Sequence, residues 1–189
     1  MNDISTSQTF EILALLTGIG YALLVVKRSR WAWVSGALSS MILAVLAAQA
    51  ALPLQSALQA SYVLMAGYGF WHWSRAEGEA RKIVVWPLRW HLLAVVVTAL
   101  VAWAAAPWLA TAGAAWPALD AAVTVVSLLA TWMTARVVLE NWIYWLLVDS
   151  ASFFLYASQG LTFVAALYAI YFLIALYGLR SWYRAWRAA

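Results

Sequence analysis

The chain is made almost entirely of apolar runs about as long as a bilayer is thick. Windows of about 20 residues place candidate helices at 10–26, 31–48, 54–73, 90–112, 116–134, 138–158 and 161–180. A backbone in hydrocarbon must satisfy its own N–H and C=O groups, which a helix does within one segment. Of the 189 residues, 67% are hydrophobic and 10% charged, against about 25% charged in a soluble domain. Seven spans use about 140 positions and leave only short loops, with no room for an extramembrane domain. The segment Met1 to Thr9 carries Asp3 and no Lys or Arg, so the first run reads as a retained span, not a cleaved signal peptide. The absence of cysteine excludes disulfides, thiolate chemistry and cysteine metal sites. A net charge of +4 on so apolar a chain points to lipid headgroups as its partner, not to nucleic acid.

The basic residues fix a direction, because short loops rich in Lys and Arg stay in the cytoplasm. Lys27, Arg28 and Arg30 follow the first span, and Arg75, Arg81, Lys82 and Arg89 lie between the third and fourth. Arg136 follows the fifth span, and Arg180, Arg184 and Arg187 follow the seventh. The loops around Pro53, Gly113 and Gly160 and the N-terminal tail carry none. Seven spans with the N-terminus outside and the C-terminus in the cytoplasm satisfy this one-sidedness. Trp31, Trp33, Trp73, Trp86, Trp90, Trp182 and Trp186 then fall at the cytoplasmic rim, where indole suits the interface.

The sequence repeats itself at an offset of about 109 residues. Tyr68, Gly69, Trp73 and Arg75 fall on Tyr177, Gly178, Trp182 and Arg184, so the third and seventh spans share a Y-G-x-x-x-W-x-R ending. Lys27 falls on Arg136, Trp33 on Trp142, Tyr62 on Tyr171 and Glu11 on Asp120. The reading is an all-α membrane protein of seven helices in a single transmembrane domain. A first repeat half covers 10–75, a linker helix 90–112 and a second half 116–184, in a parallel 3+1+3 order. Such repeats are a transporter architecture, with solute held near the midplane at the interface of the halves. Packing alone is the alternative reason for an old duplication.

Polar groups inside spans are costly and mark functional candidates. The sixth span holds most of them. At about 100° per residue, Trp142, Trp145, Asp149, Ser152 and Tyr156 share one stripe. Two indoles, a carboxylate, a hydroxyl and a phenol suit a flat cationic solute, through cation–π attraction or stacking and hydrogen bonds. Asp149 is equally readable as a structural carboxyl between helices, and the two indoles as packing. Glu140 and Asn141 sit at the cytoplasmic mouth, where a gate or a pair with Arg136 competes with solute contact. On the third span Gln55, Gln59 and Tyr62 share a face. Tyr168 and Tyr171 are the candidates on the seventh. Asp120 and Glu11 read as solvated boundary residues, and Gly18, Gly20, Gly36, Gly67 and Gly69 as points of close helix contact.

No phosphate-binding G-x-x-x-x-G-K-[ST], H-E-x-x-H or G-x-S-x-G is present. His72 and His91 are lone boundary residues, so neither a metal nor a cofactor is expected, and the chain does not read as an enzyme. The only lysines are Lys27 and Lys82, which removes a retinal Schiff base in the last helix.

The stretch E-N-W-I-Y-W-L-L-V-D (Glu140 to Asp149), the following L-Y-A-S-Q-G-L (Leu155 to Leu161) and the two Y-G-x-x-x-W endings resemble the PnuC family of vitamin transporters. The resemblance spans nearly the whole chain, and W-x-x-W is that family's substrate-binding motif. It implies a fold related to SWEET-type transporters. It also implies facilitated diffusion of nicotinamide riboside across the cell inner membrane, with phosphorylation trapping the riboside for NAD synthesis. Carried over by position, Trp142 and Trp145 would hold or flank the base, with Asn141, Asp149 and the tyrosines of the seventh span as polar neighbours. Sister groups carry thiamine or riboflavin on similar helices. This chain also reads Ser158-Gln159-Gly160 where a lysine before the glycine is frequent in relatives. A proton-coupled carrier using Asp149 and a solute-free membrane scaffold are the competing functions. The oligomeric state, a homo-oligomer included, is left open.

Overall fold

The computed structural model describes residues 2–49, 53–75 and 82–189, leaving aside the side chains of 2–8 and 53–54. These residues form seven helices: α1 (Asn2–Val26), α2 (Trp31–Gln49), α3 (Pro53–Arg75), α4 (Leu88–Thr111), α5 (Pro117–Ala135), α6 (Asn141–Ser158) and α7 (Thr162–Arg187). One isolated parallel β-bridge, Val84 to Val138, is the sole strand-like pairing among the described residues. Two helices run beyond the apolar windows: α1 starts at Asn2 and α7 continues to Arg187. Hydropathy locates the hydrocarbon, whereas the backbone ladder continues into the polar interface as long as propensity allows.

Five helices are long and apolar enough to cross a membrane by length and composition: α1 (from Thr9), α2, α4, α5 and α7. The remaining two, α3 and α6, carry the polar candidates Gln55, Gln59, Asp149 and Ser152, which lower their apolarity. At 18 residues, α6 is about 27 Å long, close to the hydrocarbon thickness. On α4, Leu92, Val95, Leu100 and Trp103 are all exposed, with Trp103 at 78%. An open apolar face of this extent suits lipid, not water.

The chain divides into two compact units, Met1–Lys82 and Ile83–Ala189. In the first, α2 packs against both α1 and α3; in the second, α4 packs on α5, α5 on α6 and α6 on α7. The same contact organises each unit. In the first, Trp33 meets Trp73 edge-on at 5.3 Å and 83°, and its indole lies directly over Gly69. In the second, Trp142 meets Trp182 at 5.4 Å and 89°, over Gly178. Edge-to-face indoles bury large apolar area with favourable quadrupole geometry, and the missing side chain at each glycine lets the ring reach the neighbouring backbone. Trp33, Trp73 and Trp182 are therefore core residues, which corrects their reading as interface anchors. Trp31, Trp90 and Trp186 are exposed, as anchors should be.

The turn that presents each of these tryptophans is also repeated. After α1, Arg28 adopts φ 53°, and after α5, Val137 adopts φ 56°. Arg28 N donates to Val25 O (2.8 Å) and Ser29 N to Leu24 O (3.0 Å); Val137 N donates to Thr134 O (3.0 Å) and Val138 N to Met133 O (2.9 Å). This is the Schellman pattern, whose left-handed position normally takes glycine. A β-branched valine there costs roughly 1–2 kcal/mol. The surrounding pairing holds it: Val84 N donates to Val137 O (3.1 Å) and Leu139 N to Val84 O (2.8 Å).

Adding one methyl at Gly178 would place it about 2.5 Å from three atoms of the Trp142 ring, a rigid neighbour, and Gly69 faces Trp33 in the same way. Gly178→Ala and Gly69→Ala should each destabilise the detergent-solubilised protein by about 1–3 kcal/mol through overpacking. Gly67 has nothing within 4 Å of the added position. Gly67→Ala should therefore leave the melting temperature unchanged or raise it, because alanine favours the helix by about 0.5–1 kcal/mol.

Candidate functional site

Helix α6 lies between two neighbours in the second unit, and that splits its stripe. Trp142 and Trp145 are about 60° apart around the axis. The first turns to α7, against Gly178 and Trp182. The second turns to α5, where its Nε1 donates to Thr134 Oγ1 at 3.3 Å. Trp142 is buried to 3% exposure, whereas Trp145 is half-buried. The two indoles are thus not a parallel pair: one is taken up by packing, the other is positioned by a hydrogen bond with part of its surface open.

Thr134 is the hub of that arrangement. Its hydroxyl can donate to Ala130 O (2.8 Å), the usual mid-helix back-bond, or to Asn141 Oδ1 (3.1 Å). Asn141 Nδ2 donates in turn to Val138 O at 2.6 Å. Thr134 and Asn141 are both fully enclosed. Asn141, expected as a polar neighbour of a solute, is spent on holding the start of α6 to the end of α5. The carboxylate of Glu140 accepts the backbone N–H of Trp86 through both oxygens (3.2 and 3.3 Å). His91 on α4 approaches the same carboxylate at 3.8 Å and shares a 2.9 Å hydrogen bond with the Tyr144 hydroxyl. Glu140 therefore fastens the segment before α4 to the head of α6.

Further along α6, Asp149 and Ser152 are buried at 3% and 2% exposure. Tyr171 of α7 lies within electrostatic reach of Asp149. No Lys, Arg or His pairs with Asp149 among the described residues. Tyr156 stacks on Tyr168 at 5.3 Å and 9°, and Tyr168 meets Tyr171 edge-on at 6.1 Å. Three phenols thus form a continuous aromatic column beside a buried carboxylate. In the first unit, Gln59 is buried, Tyr62 is half-buried and Gln55 is exposed. Asp120 and Glu11 are exposed, in keeping with a boundary position.

Comparing the units position by position separates scaffold from site. The Trp–Trp–Gly contact and the left-handed turn recur in both. Apart from Tyr62 and Tyr171, which correspond, the polar candidates do not: Thr134 corresponds to Val25, Trp145 to Gly36, Asp149 to Ser40 and Tyr168 to Gln59. Thr134 escaped the sequence reading because a threonine within an apolar run is unremarkable by itself. Its departure from valine in the repeat was the available signal.

A multi-pass helical protein with an unpaired carboxylate among ordered aromatics, and with polar residues withdrawn from lipid, has the make-up of a small-molecule carrier. The profile of the nicotinamide mononucleotide transporter family matches residues 8–184. The chain belongs to that family, the PnuC transporters, and is a membrane transporter of it. It is 30% identical over 181 residues to the riboflavin/roseoflavin transporter RibM of Streptomyces davaonensis, covering 92% of this chain and 82% of RibM. Its fold is similar to the crystal structure of the vitamin B3 transporter PnuC, with a TM-score of 0.74 and 24% identity over 93% of this chain and 81% of that one.

Thr134→Val keeps the shape but leaves the Trp145 N–H and the Asn141 carbonyl without partners. An orphaned buried group costs about 1–3 kcal/mol, so thermal unfolding should shift downward, and Thr134→Ser should recover most of the loss. Trp142→Leu should lower the melting temperature far more than Trp145→Leu, because only the former empties a fully enclosed ring site.

Proposed function

We propose that this protein carries a cationic heteroaromatic vitamin, nicotinamide riboside, across the cell inner membrane by facilitated diffusion, supplying NAD synthesis. The observation that carries this reading is Asp149: a carboxylate buried to 3% exposure on the same face of α6 as Trp145, beside Tyr171 and with no basic partner. Burying an unpaired carboxylate costs several kcal/mol, and a solute cation offsets that cost during occupancy. In this reading Trp145 is the platform for the ring, through cation–π attraction and stacking. Ser152, Tyr156, Tyr168 and Tyr171 supply hydrogen bonds. Trp142 and Asn141 support the platform from behind.

The chain would sit with its N-terminus outside and its C-terminus in the cytoplasm, the orientation its one-sided Lys and Arg residues favour. Alternating access would come from two three-helix repeats joined by a linker helix. No step changes the solute chemically; phosphorylation in the cytoplasm makes uptake one-way.

Riboflavin is the second reading, favoured by the similarity to the riboflavin/roseoflavin transporter RibM. Its isoalloxazine is neutral, so the charge on Asp149 discriminates. Titration calorimetry with nicotinamide riboside, thiamine and riboflavin should show binding of the riboside that weakens at least tenfold in Asp149→Asn, a loss of about 1.4 kcal/mol or more. Trp145→Leu should abolish binding while the protein still folds. Riboflavin binding that is indifferent to Asp149→Asn would move the protein to the flavin carriers. In proteoliposomes without an ion gradient, riboside should equilibrate across the membrane. Uptake that demands a proton gradient would assign Asp149 to proton coupling instead.

A further inference from the structure

The segment 83–87, just ahead of α4, is not helical, yet it is fastened to the turn between α5 and α6. Val84 N donates to Val137 O (3.1 Å) and Leu139 N to Val84 O (2.8 Å). Trp86 N donates to the Glu140 carboxylate, and Pro87 has no N–H to satisfy. With these backbone groups turned inward, apolar side chains turn outward: Val84, Val85 and Leu88 are 44%, 45% and 71% exposed. Non-helical backbone is tolerated beside hydrocarbon only where the protein satisfies its polar groups. The segment adjoins the head of α4 and the tail of α5, both of which are ends of helices fit to span a membrane. It therefore lies where the headgroup layer begins.

A row of aromatic and basic side chains crosses the same surface. Trp86 meets Trp90 of α4 at 6.3 Å and Trp132 of α5 at 5.6 Å. The guanidinium of Arg89 lies over Trp90 at 5.7 Å, and that of Arg136 over Trp132 at 5.9 Å. Both arginines and the two outer indoles are exposed. Stacking engages the face of a guanidinium, not the N–H edge that recognises phosphate, and indole is at home at headgroup depth. Glu140, the carboxylate that touches this segment, is turned onto the Trp86 N–H and faces His91 at 3.8 Å. Packing does not call for the row. The repeat partner of Trp132 is Leu23, and that of Arg136 is Lys27, which lacks the planar fork.

We infer that this row is a binding surface for an anionic phospholipid. Arg89 and Arg136 donate to the phosphate oxygens of the headgroup, Trp90 and Trp132 lie at the glycerol level, and Val84, Val85 and Leu88 meet the acyl chains. The occupant is a lipid because charge and apolar surface adjoin: a soluble phosphate gains nothing from the exposed valines and leucine. A zwitterionic lipid would bring its own cation against the arginines. The surface lies wholly within Ile83–Ala189 and does not depend on which vitamin is carried.

The test titrates the full-length protein in detergent with phosphatidylglycerol or phosphatidylcholine of the same acyl chains, counting bound lipid by native mass spectrometry. Wild type should hold phosphatidylglycerol at least about fivefold more tightly, the worth of one basic residue at an anionic surface. Arg89→Gln should reduce that preference at least about twofold, and Arg89→Gln/Arg136→Gln should abolish it. Arg180→Gln/Arg187→Gln, which removes the same charge from α7, should keep it. Should the double variant fail to fold, Arg89→Gln decides by itself. A wild type without preference overturns the inference, as does a preference that Arg89→Gln leaves intact. A preference that the α7 variant loses equally makes it a property of net charge and overturns the site. Displacement of the lipid by equimolar inorganic phosphate would name a free anion as the occupant and overturn it as well.

Discussion

The close approach of an indole to a glycine backbone is the contact on which each unit depends. A tryptophan from the middle helix of α1–α3, and one from the corresponding helix of α5–α7, lies on a glycine of the next helix and is closed off by a second tryptophan one turn further on. Lipid tails are as apolar as leucine, so helices in a bilayer gain little from hydrophobic exclusion and must associate through close packing. The Trp–Gly contact supplies that packing twice. It also determines the start of the helix that carries it, because the left-handed turn at Arg28 or Val137 must aim the tryptophan inward.

What the repeat keeps constant frees the remaining positions to differ. With Trp142 committed to the scaffold, its neighbour one turn on can be a functional residue, and Thr134 and Asn141 hold that neighbour in place from α5 and the head of α6. Asp149, Ser152 and the tyrosines of α6 and α7 occupy positions that the first unit fills with other residues or, for Tyr62 and Tyr171, shares. A duplicated fold thus carries two different sets of polar side chains on one packing plan. The family assignment and the local chemistry agree: a carrier needs few polar groups, held rigidly by an apolar frame.

Much of this was legible in the residues. The helices, their order and the register of the repeat follow from apolar run length and from the spacing of Tyr, Gly, Trp and Arg. The family resemblance rested on Glu140 to Asp149. The roles within W-x-x-W were not legible, because residues three apart on a helix share a face in projection yet can meet different neighbours. The tryptophans at the basic ends also misled: the buried Trp33, Trp73 and Trp182 carry the same signature as the exposed Trp31, Trp90 and Trp186. Indole at the end of an apolar run is equally suited to an interface and to a glycine surface, and only the presence of that surface decides.

The sequence by itself determined that this chain is a helical membrane protein, that its Tyr, Gly, Trp and Arg residues recur at an offset of about 109 and to which family it belongs. Each of these is a one-dimensional property, set by run length, period and motif. The tertiary structure alone decided that Glu140 and Asn141 tie helices together, that Thr134 orients Trp145, that Trp142 is packing, and that Trp86, Trp90 and Trp132 form one row. Those assignments depend on which side chain meets which across a helix pair. That is a matter of direction and distance in space, which the order of residues along the chain does not record.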